Sequence, residues 1–318
     1  MTAIEYRTLG ANGPLVSTIG LGCNNFGRPG ARTQDQEGTT AVVDEAIERG
    51  VTLFDTADMY GRTASETFLG VALRGRRDRV VLATKFGHTG YDMGIAPGAP
   101  KGSREYIRTA VEGSLTRLQT DHIDLYQQHT PDPATPIAET IGALEELVTE
   151  GRIRYYGHSN FSAEQMVEAQ DAAARAGATG FVSAQDEYSL IARGAEREIL
   201  PTAQRLGLGF LPYFPLANGL LTGKFTRTER PADTRIARQR PEVADEAPWD
   251  AIEAYARFCA ERGRTMLEAT FAWLLAQPAV TSVIAGATTP EQVAQNAAAS
   301  VAWKPSADDL ARIGAIFD

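Results

Sequence analysis

The sequence predicts an α/β protein: a (β/α)8 TIM barrel with an N-terminal β-hairpin and a C-terminal helix, a single domain over residues 1–318. Three observations carry that expectation. Short apolar runs and amphipathic stretches alternate eight times after residue 18, and such alternation makes a parallel sheet covered by helices. No composition break reads as a domain linker within the 318 residues, a length that α/β barrels often occupy as one unit. The fingerprint of the competing fold, a doubly wound sheet, fails. Gly20-Leu21-Gly22 runs on into Cys23-Asn24-Asn25, so the third glycine of G-x-G-x-x-G is missing.

Each element has its own signal. Residues 4–8 and 15–18 read as hairpin strands around the turn Gly10-Ala11-Asn12-Gly13-Pro14. A strand over 19–23 leads to a helix over 38–49, with Val42, Val43, Ala46 and Ile47 on one face and Gly50 just past its end. The apolar run 51–54 is a short buried strand that stops at Asp55, with Asp58, Tyr60 and Gly61 close behind. Thr63 and Glu66 then stand as a capping box, T-x-x-E, for a helix over 64–73. Strand 79–84 ends at Lys85, and Ser103 caps a helix to about 118. Strand 123–127 ends near His129, and Thr135-Pro136 is an N-cap and first-turn pair for a helix that Gly151 follows.

Strand 153–157 leads into His158-Ser159-Asn160. Ser162 and Gln165 form a second capping box, with Phe161 and Met166 as its hydrophobic staple, for a helix that stops at Gly177. Strand 181–184 ends at Gln185, a helix covers 196–205, and strand 209–212 ends at Tyr213. The stretch 217–248 is polar and weakly periodic, the pattern of a functional lid or a mobile insert. Helices are expected over 249–259, from a Thr265/Glu268 box to Pro278, over 289–298 and over 306–316, with the last strand at 281–284.

A net charge of −9 argues against nucleic acid or an anionic membrane as the partner. Cys23 and Cys259 are too few for a disulfide framework, which points to a reducing, cytoplasmic setting. The first residues carry no apolar signal region, and no apolar run approaches membrane-spanning length. His88, His122, His129 and His158 show no metal-ligand spacing, so no metal is expected.

Under the barrel reading, Asp55, Lys85, His129, Ser159, Asn160, Gln185 and Tyr213 follow successive apolar runs and converge on the C-terminal face, where barrel enzymes keep their sites. A free tyrosine titrates near pH ~10 and donates its proton poorly. A Lys85 ammonium beside Tyr60 should lower that value, with Asp55 keeping the lysine charged and oriented. His129 could hydrogen-bond a carbonyl oxygen and steer it to the phenol. Together these make a general acid for a carbonyl that receives a hydride. Asp58 finds no partner in this scheme and reads as turn chemistry.

The stretches LFDTADMYG (53–61), LATKFG (82–87), IDLYQQHTPDP (123–133), GHSNFS (157–162), AQDEYSL (184–190), YFPLANGLLTGKF (213–225) and IAGATTPEQVAQN (284–296) closely resemble the aldo-keto reductase superfamily. The likeness is to its longer-chain branch of bacterial reductases and potassium-channel β subunits, and it spans almost the whole chain. The resemblance implies a barrel that binds NADPH without a Rossmann fold, and a catalytic tetrad of Asp55, Tyr60, Lys85 and His129. It also implies carboxamide ligands at Ser159, Asn160 and Gln185, a stacking aromatic at Tyr213, and Gly22 and Cys23 at the nicotinamide end. A pyrophosphate strap would run through Pro215, Leu216, Gly219, Leu221 and Gly223. The adenosine end would be met by Gly286, Thr288, Gln292, Gln295 and Asn296, although Gln292 fits a capping box behind Thr289 equally well.

Ala287-Thr288 stands where relatives carry a cation for the 2′-phosphate. Lys224 and Arg235 match basic positions of the channel-subunit branch, so NADPH is the expected cofactor and NADH the alternative. His158 replaces the usual Val or Cys. The expected partner is a small-molecule aldehyde or ketone, and the oligomeric state is not readable. A Schiff-base aldolase would not call for the tyrosine, the carboxamide trio or the strap. A serine hydrolase would need a glycine after Gly157-His158-Ser159-Asn160, and no tyrosine has a lysine four residues on, as a short-chain dehydrogenase requires. A cofactor-sensing regulatory subunit with residual reductase activity is the alternative to an enzyme.

Overall fold

A computed structural model describes residues 3–232 and 234–318. Among these, β1 (Tyr6–Thr8) and β2 (Leu15–Ser17) form the antiparallel hairpin, with Tyr6 opposite Ser17. The eight parallel strands are β3 (Ile19–Gly22), β4 (Leu53–Asp55), β5 (Val81–Phe86), β6 (Ile123–Gln128), β7 (Ile153–Ser159), β8 (Ser183–Glu187), β9 (Gly209–Tyr213) and β10 (Val283–Gly286). Each pairs with the next in chain order, and β10 returns to pair with β3. Backbone bonds from Phe210 N to Ala279 O (2.9 Å) and from Thr281 N to Phe210 O (3.0 Å) join β9 to the approach of β10 and close the ring. This is the (β/α)8 barrel that the alternation predicts.

Helices α1 (Gln36–Glu48), α2 (Ala64–Ala72), α3 (Arg104–Leu118), α4 (Ile137–Thr149), α5 (Ala163–Ala176) and α6 (Ile199–Arg205) fill the successive connections from β3 to β9. The β9–β10 connection holds α7 (Arg235–Gln239), α8 (Pro241–Asp245), α9 (Trp249–Glu261) and α10 (Met266–Leu275); α11 (Pro290–Ala299) and α12 (Ala307–Ile316) follow β10. The stretch expected to be a functional lid or a mobile insert carries secondary structure and buried side chains among its described residues. Residues Ala217–Thr222 form a 3-10 turn, Ile236 and Ala244 are fully buried, and the Trp249 indole donates to Ala244 O at 2.9 Å.

Apolar residues split into two layers. The larger one packs the outer strand faces against the helices. The smaller lies inside the ring, where Leu53, Ala83, Leu125, Leu211 and Ile284 meet Leu9 and Val16 of the hairpin. The hairpin is thus a stopper in the N-terminal end of the barrel. A Cβ on Gly10, whose φ is +65°, would come within 2.6 Å of the Gly207 and Val182 carbonyl oxygens, so only glycine seats the stopper. Strand side chains alternate faces, so two residues beyond Leu53, Ala83, Leu125 and Leu211 the interior receives Asp55, Lys85, Gln127 and Tyr213. A polar layer sits directly on an apolar one.

Capping boxes form at Ser162/Gln165 and Thr265/Glu268 as expected. The box at Thr63/Glu66 does not. Thr63 is left-handed (φ 78°) and makes no side-chain cap. Glu66 is fully buried instead, accepting from Thr84 Oγ1 and Arg117 Nε at 2.6 Å each. Pro136 rather than Thr135 is the N-cap of α4, because the Thr135 hydroxyl is spent on Asp132 at 2.9 Å. Strands β5 and β8 run two to three residues further than their apolar runs. Lys85 and Gln185 therefore sit in the ladder, paired with Gln127 and Ser159, rather than on loops.

Candidate active site

At the C-terminal face, Lys85 Nζ lies 2.6 Å from Asp55 Oδ2. The two side chains are 1% and 5% exposed, so solvent barely screens the pair. The ammonium also donates to Thr56 O at 3.0 Å and reaches the Tyr60 hydroxyl at 3.4 Å. Its three donors are thus all used, one of them on the phenol. The other Asp55 oxygen, Oδ1, accepts from Gln185 Nε2 at 3.0 Å and Gln127 Nε2 at 3.2 Å. Burial opposes the charge on Lys85, but Asp55 and then Tyr60 outweigh it and hold the lysine above its ordinary value.

Tyr60 departs from the simple expectation. Burial raises the phenol, and although Lys85 pulls it down, the net shift is upward. Burial is the larger cause, and Asp55, which charges the lysine, adds to it by repelling a phenolate. Tyr60 therefore waits fully protonated at neutral pH. The Tyr60 and His129 rings meet edge-on at 5.8 Å, and His88 meets His129 edge-on at 4.8 Å. Burial, Lys85 and His88 push His129 well below its ordinary value, so its imidazole is neutral. His129 Nδ1 is buried with no partner. A bare lone pair costs less there than an orphaned N–H, so the proton belongs on Nε2.

A cavity of about 1580 Å³ opens over this cluster. That exceeds the ~300–1,000 Å³ of an ordinary small-molecule pocket and leaves room for a dinucleotide beside a substrate. Asp55, Tyr60 and His129 line it, and Lys85 acts from behind them. Gly22, Ser159, Asn160, Gln185 and Tyr213 line one part, and Pro215, Leu216, Gly219 and Lys224 another. Gly286, Thr288, Gln292, Gln295 and Asn296 complete the wall. Asn160 is left-handed (φ 62°), a conformation asparagine tolerates. Its Nδ2 donates to His129 O at 2.9 Å and its Oδ1 accepts from the Tyr213 hydroxyl at 2.9 Å. The Gln292 Oε1 accepts from Thr288 N at 2.7 Å, so it orders the loop before Thr289 instead of closing a capping box.

Three expected contacts do not reach the cavity. Cys23 points into the outer core, fully buried, and its thiol is pushed far up by burial, so it is inert packing. Leu221 is likewise fully buried, because the 3-10 turn rotates it inward. Gly223 is exposed beyond that turn, and Thr222 lines the wall in its place. The Arg235 side chain lies outside the described residues.

Other wall residues carried no usable sequence signal. Arg28, Arg32 and Arg238 line the cavity from irregular or short elements without periodicity. Gln127, which lies beneath the wall and donates to Asp55, is different, because its inward parity with Leu125 could have exposed it. Asp58 is not at a turn surface at all: it is 1% exposed, and burial, then the Glu66 charge, raises it to about 7. Among the described residues no His, Cys, Asp and Glu cluster is placed to hold a metal ion, and no helix is long and apolar enough to cross a membrane.

Comparison with known proteins places the chain in a family. Residues 18–318 match the model of the aldo/keto reductase family. An uncharacterized oxidoreductase, YrpG, of Bacillus subtilis is 40% identical over 298 residues, covering 91% of this chain and 89% of that protein. A probable aldo-keto reductase 1 of Glycine max is 36% identical over 320 residues, 98% of this chain and 88% of the relative. A probable voltage-gated potassium channel subunit beta of Oryza sativa is 33% identical over 303 residues, 92% and 90% of the two chains.

Proposed function

The chain belongs to the aldo/keto reductase family, and from that premise we propose that it is an NADPH-dependent reductase of an aldehyde or ketone, with Tyr60 as general acid. The observation that carries the reading is the buried Asp55–Lys85–Tyr60 relay, 2.6 and 3.4 Å in its two steps, open to a cavity beside a neutral His129.

The wall suits a dinucleotide. Ser159 and the free Oε1 of Gln185 offer partners to a carboxamide, and Tyr213 offers a ring face fixed through Asn160. A Cβ on Gly22 would approach Ile284 to 3.1 Å and fill the floor. Cations Arg32, Lys224 and Arg238 stand on the wall of a chain of net charge −9. Lys224 on this wall supports NADPH over NADH.

When bound, NADPH supplies a hydride to the carbonyl carbon. His129 Nε2–H orients the carbonyl oxygen, and the Tyr60 hydroxyl gives that oxygen its proton. The phenolate left behind is stabilised by the Lys85 ammonium, which Asp55 holds in place. A positioned general acid contributes roughly 10²–10⁴-fold. Tyr60→Phe should therefore lose at least about a hundredfold in NADPH oxidation against a panel of aldehydes. Full activity in that variant removes the assignment.

The kinship to a channel β subunit keeps a cofactor-sensing role as the second reading. Tight NADPH binding with negligible turnover on every aldehyde would favour it.

A further inference from the structure

We infer that Arg28 binds a carboxylate on the substrate, so that the preferred aldehydes or ketones of this enzyme are acids; the inference rests on the reductase reading above. Arg28 follows Gly27 in the β3–α1 loop, which abuts the loop carrying Tyr60. A Cβ on Gly61 would lie 3.2 Å from the Gly27 Cα, and one on Gly27 would lie 2.5 Å from the Ala64 Cβ. Arg28 and Tyr60 consequently face the same cavity, together with His88 and His129. The guanidinium is partly buried, and that burial lowers its pKa while the Tyr60 phenol raises it.

Its donors are only partly used. Nη1 donates to Asn25 Oδ1 at 2.8 Å and Nη2 to Asn24 O at 2.9 Å. A guanidinium carries five N–H groups, so the remaining three are available. Among the described residues no carboxylate pairs with Arg28. By contrast Arg77, Arg117 and Arg227 each hold an Asp or Glu within hydrogen-bond distance. A partly desolvated cation without an anion is costly, and the two neutral acceptors hold its plane without cancelling its charge. Arg62, exposed and without an ion pair among the described residues, adds a second positive group on the same wall. Asp55, an acid on the same cavity wall, is already committed to Lys85. What is missing is an anion delivered by the ligand, and a planar guanidinium receives a carboxylate through two parallel bonds.

The purified protein, assayed with NADPH on para-carboxybenzaldehyde and on its methyl ester, tests this. Hydrogen bonds to a charged group are worth enough to favour the acid by about tenfold or more in kcat/KM. Arg28→Gln should collapse that ratio towards one, chiefly through KM for the acid, and Arg28→Lys should restore part of it. An equal loss on both aldehydes would mean that Arg28 only orders its loop. A raised KM for NADPH would give the arginine to a cofactor phosphate. Either result overturns the inference. A wild type that reduces the ester with no preference for the acid overturns it too, while leaving the reductase reading intact. Turnover of other aldehydes in the panel but of neither of these overturns the inference alone, and turnover of no aldehyde sinks both.

Discussion

His158 shows how much a single buried group can decide. It stands on β7 with its side chain outward, between Phe161 (4.6 Å) and Phe181 (5.1 Å), fully buried, and neither ring nitrogen has a partner. Burial alone lowers it to about 3. In the unfolded chain the same imidazole titrates near ~6.5. Between those values the unfolded state binds the proton and the folded state does not, so folding stability rises with pH across that window. The contribution is complete above about pH 6.5 and is lost as pH falls towards about 3. Between pH ~7 and pH ~5 this one residue should remove roughly 2 kcal/mol. Urea denaturation of wild type and His158→Leu at both pH values measures it. The leucine variant should be at least as stable at neutral pH, because no orphaned polar group remains, and its acid loss should be smaller by that amount. Parallel pH curves for the two proteins would show that the imidazole finds a proton partner in the folded state.

At the level of elements, two nearly identical sequence signals have opposite fates. Ser162-x-x-Gln165 and Thr63-x-x-Glu66 both read as capping boxes, and only the first is one. The loop before α2 has to turn sharply to leave Tyr60 over the cavity, and Gly61, Arg62 and Thr63 take left-handed conformations to do so. That geometry removes the Thr63 hydroxyl from the helix start and drops Glu66 into the core beside Arg117. Ser162→Ala should therefore cost about 1 kcal/mol in chemical denaturation, whereas Thr63→Ala should stay within about 0.5 kcal/mol of wild type. Equal losses would restore the second cap. The contrast marks what a sequence can disclose. Periodicity and turn residues place the strands, and the order Asp55, Lys85, His129 follows from strand ends in a barrel. Side-chain rotation in irregular turns has no periodicity to read, so Cys23 and Leu221 were expected in the cavity and are buried. Arg28 and Arg238 were passed over for the same reason. Gln127 is different: its inward parity was readable, and only its apolar setting disguised it.

Over the whole molecule, net charge and local charge point in opposite directions. The chain carries −9, yet on the cavity wall the exposed Arg32, Lys224 and Arg238 have no ion pair among the described residues. Two other basic residues of the β9–β10 connection are neutralised, Arg230 by Asp245 at 2.6 Å and Arg227 by Glu253 at 3.1 Å. Arg238 is instead held by backbone carbonyls, Gly30 O at 3.2 Å and Ala232 O at 3.3 Å, which fix its direction and leave its charge uncancelled. A basic wall on an acidic protein would draw in the proposed anionic cofactor while the rest of the surface repels it, and exposed charges act only within a Debye length. That length falls from about 10 Å at ~0.1 M salt to about 3 Å at ~1 M. NADPH should therefore bind about tenfold more weakly at the higher salt by intrinsic-fluorescence titration. NADH lacks the 2′-phosphate and should lose distinctly less. Lys224→Ala should narrow the gap between the two salt responses, because it removes one of the cations proposed to meet the extra phosphate. Identical salt curves for NADPH and NADH would mean that the wall reads only the pyrophosphate, and the preference for NADPH would then fall with it.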